Sequence, residues 1–224
     1  MRKWGIVITS FYALVVLGLL APAMVFLASG NGAGFLDDLA RLYRMWELWL
    51  FAGILISGEA LLLFLSVDTS RKKLKPRAHI LVSCLLAALL TALLTSAAVW
   101  SLGYAIRGDK FALPVFGENP WTFWGSLWLF WLIVFYLYWR GSSDCLARIV
   151  SWLLRGSVLD LLIVVPCHVV VRRRHDCSAP AVTGWGIATG LAFMLLSFGP
   201  GILLLFKKRL DSYPARSKAA AASS

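Results

Sequence analysis

The sequence predicts an all-α, polytopic integral membrane protein. Hydrophobic residues make up 60% of its 224 residues and charged residues only 15%, whereas soluble domains are about 45–50% apolar and about 25% charged. The mean hydropathy is +0.78. The 22 Lys and Arg residues outnumber the 11 Asp and Glu residues, but they cluster at the ends of long apolar runs. This pattern indicates membrane orientation and anionic lipid rather than nucleic acid.

The apolar runs predict five transmembrane helices in one membrane domain. These spans are residues 4–29, 48–67, 80–104, 121–139 and 183–206. The first run carries Ala-Pro-Ala at 21–23, which is typical of signal-peptide cleavage, but its apolar core is longer than that of a signal peptide. We expect residues 1–209 to form the membrane domain and residues 210–224, which are rich in Ala and Ser, to form a disordered tail.

Two polar segments flank the second span. Residues 30–46 carry Leu36, Leu39 and Leu42 at helical spacing, which predicts an interfacial amphipathic linker. Residues 71–77 hold five Lys or Arg, and such clusters face the cytoplasm. The architecture resembles that of small bacterial inner-membrane proteins. That resemblance implies a location in the cell inner membrane and no mechanism.

Glu59 places an acidic group near the middle of the second span. A charge at this depth costs about 2.5–3.5 kcal/mol on insertion scales, so we expect the carboxyl to be neutral, paired or facing a polar cavity. Gly53 and Gly58 are expected to permit close helix approach. Glu59 is then either a structural interhelical hydrogen-bonding group or a group that faces a proton, an ion or a cofactor.

The third predicted span carries small and hydroxyl residues on one face. They include Ala87, Thr91, Thr95 and Ala98, and their helical spacing predicts a packing seam. Cys84 on the same span is expected to be a buried thiol.

The fourth predicted span carries an aromatic stripe. Its members, at alternating spacings of three and four, are Trp121, Trp124, Trp128, Trp131 and Phe135. Interfacial anchoring explains the ends, and packing or lipid contact explains the middle. A quinone-like or porphyrin-like ring against this wall is the alternative.

The last predicted span contains Gly186 and Gly190 as a GxxxG motif. GxxxG favours close helix contact, either within the chain or with a membrane-protein partner such as a second copy.

Residues 145–171 are predicted to form an amphipathic and re-entrant segment, with a sixth transmembrane helix as the alternative. Ser142, Ser143 and Asp144 precede it as capping residues, and Arg148, Ser151 and Arg155 share one face of its first half. Gly156 is expected to end this first helix.

A second, shorter helix is expected to follow Gly156. Ser157 and Asp160 have the spacing of a capping box, and Pro166 is expected to kink or break the helix. The distribution of Lys and Arg favours six spans, whereas segment length favours five.

Cys167, His168, His175 and Cys177 are the candidate metal ligands. Thiols and imidazoles bind zinc, and an imidazole also serves haem or copper. The spacing matches no zinc motif, and a kinked helix with hydrogen-bonded imidazoles and inert thiols is the favoured interpretation. A Cys167–Cys177 disulfide is a third interpretation.

The intramembrane polar groups Glu59, Arg155 and Asp160 form the second candidate set. We expect Glu59 and His168 to share one shielded pocket against the aromatic stripe, because isolated polar groups are costly in a bilayer.

Two function classes follow from these sites. One is a non-catalytic membrane subunit or assembly factor, and the other is a membrane redox or metal-handling protein that uses Glu59 and the Cys/His cluster. No repeat, P-loop or hydrolase motif is present in the sequence, so it predicts no catalytic residue or specific cofactor.

Overall fold

A computed structural model of the chain describes residues 2–29, 34–68, 76–111, 120–139, 145–174 and 179–198. These residues are helical except for Gly34 and Met45. The helices are α1 (Arg2–Val15), α2 (Ala21–Ser29), α3 (Phe35–Arg44), α4 (Trp46–Asp68), α5 (Pro76–Arg107), α6 (Pro120–Trp139), α7 (Cys145–Arg174) and α8 (Ala179–Phe198). A 3-10 turn, Gly108–Phe111, follows α5. The prediction of an all-α polytopic membrane protein is confirmed.

Within the described residues, four helical stretches are long and apolar enough to cross a membrane: Ile6–Ala28, Cys84–Arg107, Arg148–Arg174 and Ala179–Phe198. A fifth candidate is the pair Phe35–Arg44 and Trp46–Leu62, which is bent by 69°. In α6 the stretch Thr122–Tyr138 is apolar but shorter. The predicted tail, residues 210–224, lies outside the described residues.

A π-helical turn, Val16–Leu20, joins α1 to α2 without interrupting the helix. The N–H of Ala21 donates to the carbonyl of Val16, five residues earlier. A π turn disturbs the regular backbone ladder, and here the carbonyl of Leu17 accepts a hydrogen bond from the hydroxyl of Tyr43 in α3. This bond ties the amphipathic α3, predicted as the 30–46 linker, to the first span.

The direction of each helix follows from its contacts. On α7 and α8, His168 meets Thr183, and Asp160 meets Gly190, so these helices are antiparallel. Arg174 of α7 donates to the carbonyl of Ala105, near the end of α5.

The start of α7 lies beside the middle of α5, where Leu94 contacts Gly156. Together with the Arg174 contact, this makes α5 and α7 parallel. The first span contacts α8 through Leu27 with Gly184 and through the Tyr12 hydroxyl with the carbonyl of Ala192, so these two are antiparallel.

Two aromatic contacts place the remaining helices. Phe51 of α4 packs on Trp185 with ring centroids 4.7 Å apart, and Phe123 near the start of α6 packs on Trp100 at 6.3 Å. Six apolar segments, counting α1 with α2 as one, therefore alternate in direction, and α5 lies at the centre of the described core.

The prediction that a helix ends at Gly156 is wrong, and so is a break at Pro166, whereas a kink at Pro166 stays a prediction. A single helix, Cys145–Arg174, runs through both residues. Its 30 residues measure about 45 Å at 1.5 Å per residue, enough to span a bilayer. This contradicts the re-entrant interpretation of residues 145–171 and supports the alternative, in which α7 crosses the membrane.

Packing and the lipid environment explain why α7 does not break. Gly156 brings α7 close to α5, since a Cβ atom placed on it would lie 3.0 Å from Leu94 Cδ2. The Ser157 hydroxyl donates to the carbonyl of Leu154 inside the helix instead of capping a new one. Pro166 frees one carbonyl, but unfolding the adjacent backbone in an apolar medium would free many more.

Candidate functional site

A cavity of about 340 Å³ lies between α5, α6 and α7. Most of its walls are aliphatic, including Leu94, Ala98, Val99 and Ile163. Its aromatic and polar lining consists of Thr91, Thr95, Trp131, Trp152, Arg155 and Asp160. Exposed residues such as Leu159 and Val99 form part of the rim, so the cavity opens onto the apolar surface of the bundle.

Asp160 is the most polar group deep in the cavity. The residue is 3% exposed, and neither carboxyl oxygen has a hydrogen-bond partner among the described residues. It sits on α7 opposite Gly190, whose missing side chain makes room for Oδ2. An unpartnered carboxyl in an apolar interior is unfavourable. Asp160 therefore has hydrogen-bonding capacity that the described residues leave unused.

Two threonines form a polar strip on α5 in the wall of the same cavity. The Thr95 hydroxyl accepts a hydrogen bond from Trp131 Nε1 at 3.2 Å and donates to the carbonyl of Thr91 at 2.8 Å. The Thr91 hydroxyl is buried and has no partner within the described part of the chain. The predicted packing seam of α5 thus also supplies the hydroxyl groups of the cavity.

Trp131 and Trp152 form the aromatic side of the cavity. Their ring centroids lie 6.3 Å apart in an edge-to-face arrangement, and Trp152 also meets Phe135 at 6.0 Å. Phe135 is buried, and Trp128 Nε1 donates to the carbonyl of Leu85 at 3.4 Å. Packing against α5 and α7 therefore explains this part of the stripe.

Arg155 is the only basic residue among the described lining of the cavity. Arg148, Ser151 and Arg155 are all exposed, while Ile149 and Leu153 are buried. The predicted amphipathic face of residues 145–155 is therefore present, but it belongs to the first turns of the long helix α7.

Glu59 lies outside this cavity. It is 1% exposed, and its Oε2 has no hydrogen-bond partner among the described residues. Of the two glycines expected to permit helix approach, Gly58 meets Leu90 of α5, with 3.2 Å from its placed Cβ to Leu90 Cδ2. Gly53 has nothing within 4 Å of its placed Cβ, so that part of the prediction is wrong.

Cys167 and His168 are both buried near the far end of α7. The Nδ1 of His168 lies 2.8 Å from the Thr183 hydroxyl, which donates in turn to the carbonyl of Ala179 at 3.1 Å. The other candidate ligands, His175 and Cys177, lie outside the described residues, as do the capping residues Ser142, Ser143 and Asp144. Within the described chain, no three His, Cys, Asp or Glu side chains come together as a metal site.

The expected pocket shared by Glu59 and His168 is wrong. Glu59 lies beside Gly58, which packs on Leu90, whereas Cys167 packs with Tyr104 and Ala105 near the other end of α5. Leu90 and Tyr104 are 14 residues apart on α5, which corresponds to roughly 21 Å along the helix axis. The expectation that buried polar groups in a bilayer pair with each other fails here, because Glu59 and His168 lie at separate helix interfaces.

Asp160 was identified from the sequence as an intramembrane polar group but was assigned a capping role. The useful signal was its place inside the apolar run that begins at Val158. The cavity itself has no sequence signal, because it depends on how Trp131 and Trp152 pack. Comparisons with protein-family models, with curated proteins and with solved structures give no match to this chain.

Proposed function

We propose that this chain is a non-catalytic integral membrane subunit or assembly factor that holds a small lipophilic molecule between α5, α6 and α7. The observation that carries this proposal is Asp160. It is buried and unpartnered among the described residues, and it lies on the wall of a cavity. A hydroxyl or carbonyl group on the ligand would supply the missing hydrogen bond.

The dimensions of the cavity limit the ligand. Small-molecule sites usually measure about 300–1,000 Å³ and are mostly apolar with a few polar groups. At about 340 Å³, this cavity is at the lower end. It suits one ring or a short chain segment with one polar group better than a porphyrin. The indole rings of Trp131 and Trp152 favour contact with an alkyl chain or a ring.

The proposed setting is the cell inner membrane, with the basic segment 71–77 in the cytoplasm. Since α5 follows that segment and runs parallel to α7, the start of α7 lies toward the same side. Asp160 then lies near mid-membrane, 12 residues beyond Arg148 and 14 before Arg174.

Photo-crosslinking in nanodiscs tests the proposal. The full chain is photolysed with a decanol that carries a diazirine in its alkyl chain, and labelled peptides are identified by mass spectrometry. We expect saturable labelling of α5, α6 and α7 that excess decanol displaces and decane does not.

Asp160→Ala is the key variant, because it removes both oxygens and leaves more space. We expect about fivefold to tenfold weaker displacement by decanol, which corresponds to one lost hydrogen bond. Leu162→Ala, on the exposed side of α7, is the matched control and should label normally. Unsaturable labelling, or equal displacement in Asp160→Ala, would contradict the proposal.

The redox or metal-handling alternative now involves fewer residues than the sequence indicated, because Glu59 and His168 lie too far apart to share one site. What supports it is the burial of the adjacent Cys167 and His168. Metal analysis and an absorbance spectrum of the purified protein test it. Stoichiometric metal or haem that is lost on Cys167→Ser or His168→Ala would favour this alternative.

A further inference from the structure

We infer that the ligand of the α5–α6–α7 cavity is an acidic amphiphile with two polar points. Its anionic end pairs with Arg155 near the start of α7, and an uncharged hydrogen-bonding group further along its chain reaches Asp160. This inference rests on the proposed function and names the ligand class of the same site.

Arg155 is the first observation behind this inference. Arg155 lines the cavity, and its side chain is exposed. It lies seven residues beyond Arg148, which corresponds to roughly 10 Å further along α7. Its nearest acidic neighbour on the cavity wall is Asp160, whose carboxyl oxygens accept no hydrogen bond from any described residue. Arg155 thus presents a cation at the cavity that an anionic ligand group can neutralise.

The spacing of the two charged residues is the second observation. Arg155 and Asp160 are five residues apart on α7, or roughly 7.5 Å along the helix axis. Leu94, Ala98 and Leu159 line the cavity together with them. A mostly apolar lining with two charged residues at different depths suits an amphiphile with an alkyl segment between two polar groups.

Charge determines which end of the ligand goes where. A second anion beside the buried Asp160 would be unfavourable, because like charges repel strongly in a medium of low dielectric. Arg155 attracts the anion, and Asp160 receives the uncharged group. A plain alcohol or a quinone would satisfy Asp160 but would leave Arg155 without a contact.

A simpler role for Arg155 is snorkelling, in which the side chain reaches the headgroups of any anionic lipid. That role predicts binding of acids whether or not they carry a hydroxyl. The two roles therefore differ in whether a hydroxyl group strengthens the binding of an acid.

Four competitors of the photoactivatable decanol separate these roles: decane, decanol, decanoate and 10-hydroxydecanoate. We expect 10-hydroxydecanoate to displace the probe at a concentration at least about fivefold lower than decanol or decanoate, since it gains a second contact. Arg155→Gln should remove the advantage of 10-hydroxydecanoate over decanol. Asp160→Ala should make 10-hydroxydecanoate and decanoate equal.

Arg148→Gln is the matched control, since Arg148 shares the exposed face of α7 but does not line the cavity. It should change nothing. Equal displacement by decanoate and 10-hydroxydecanoate, or an acid advantage that survives Arg155→Gln, would overturn the two-point inference while leaving decanol binding intact. Failure of decanol itself to displace the probe would refute the proposed function and this inference together.

Discussion

Asp160 of α7 lies directly against Gly190 of α8, where a Cβ atom placed on the glycine would stand 2.7 Å from Asp160 Oδ2. One turn earlier on α8, a Cβ on Gly186 would stand 2.6 Å from the hydroxyl oxygen of Ser101. Cα–H groups make weak hydrogen bonds to oxygen at such interfaces. The GxxxG motif therefore seats two buried polar groups of neighbouring helices within the chain.

Gly190→Ala should destabilise the protein, because a methyl group cannot occupy space 2.7 Å from a carboxyl oxygen. Overpacking of this kind costs about 1–3 kcal/mol, and thermal unfolding in detergent will measure it. Gly125→Ala on α6 is the control, since nothing lies within 4 Å of its placed Cβ. There, alanine should be neutral or slightly stabilising, by up to about 1 kcal/mol. Equal melting of both variants would show that α8 does not pack this closely.

The packing of Gly186 and Gly190 within the chain limits how two copies of the chain could associate through this motif. Both glycines are buried against α5 and α7 in the described residues. A homodimer through Gly186 and Gly190, which the motif also favours, would need α8 to move away from these helices. The dimer stays a prediction, and cross-linking of the purified protein measures it.

Glu59→Gln should fold normally, whereas Glu59→Lys should not insert stably. The residue is 1% exposed and its Oε2 has no hydrogen-bond partner among the described residues, so a neutral isostere fits and an unpaired ammonium does not. Yield and monodispersity of the detergent-solubilised variants report the difference. Glu47→Lys, in the first turn of α4, is the control and should be tolerated. A stable Glu59→Lys variant would mean that water reaches this position.

Cysteines introduced at Ser70 and Asp37 should be labelled from opposite sides of the membrane. Ser70 directly precedes the basic segment 71–77 and lies outside the described residues, and Asp37 is exposed on α3, which precedes the start of α4. An impermeant maleimide should reach Asp37→Cys in intact spheroplasts and Ser70→Cys only after lysis. The reverse pattern would invert the topology, and labelling of both from one side would show that α4 does not cross.

The sequence predicted where the helices lie because each apolar run ends at charged or turn residues. It failed at Gly156 and Pro166, since the helix-breaking rules apply to chains whose freed backbone groups can bond to water. The place of Asp160 in the wall of a cavity was not predicted either, because its spacing from Ser157 was interpreted as a capping box. Partners across helices, such as Asp160 and Gly190, depend on helix direction and rotation, which a single sequence does not supply.

Paired cysteines will test the relation between the two ends of the bundle. His168 and Thr183 are neighbours, with 2.8 Å between Nδ1 and Oγ1, whereas Glu59 lies at a level roughly 21 Å away along α5. In a background without the native thiols, the 168/183 pair should therefore cross-link with a short bifunctional reagent, and the 59/168 pair should not. Each variant must first show a normal elution profile, so that misfolding is not counted as separation. Efficient 59/168 cross-linking would mean that α4 and α7 meet in a way this packing forbids, and it would restore a shared polar pocket for Glu59 and His168.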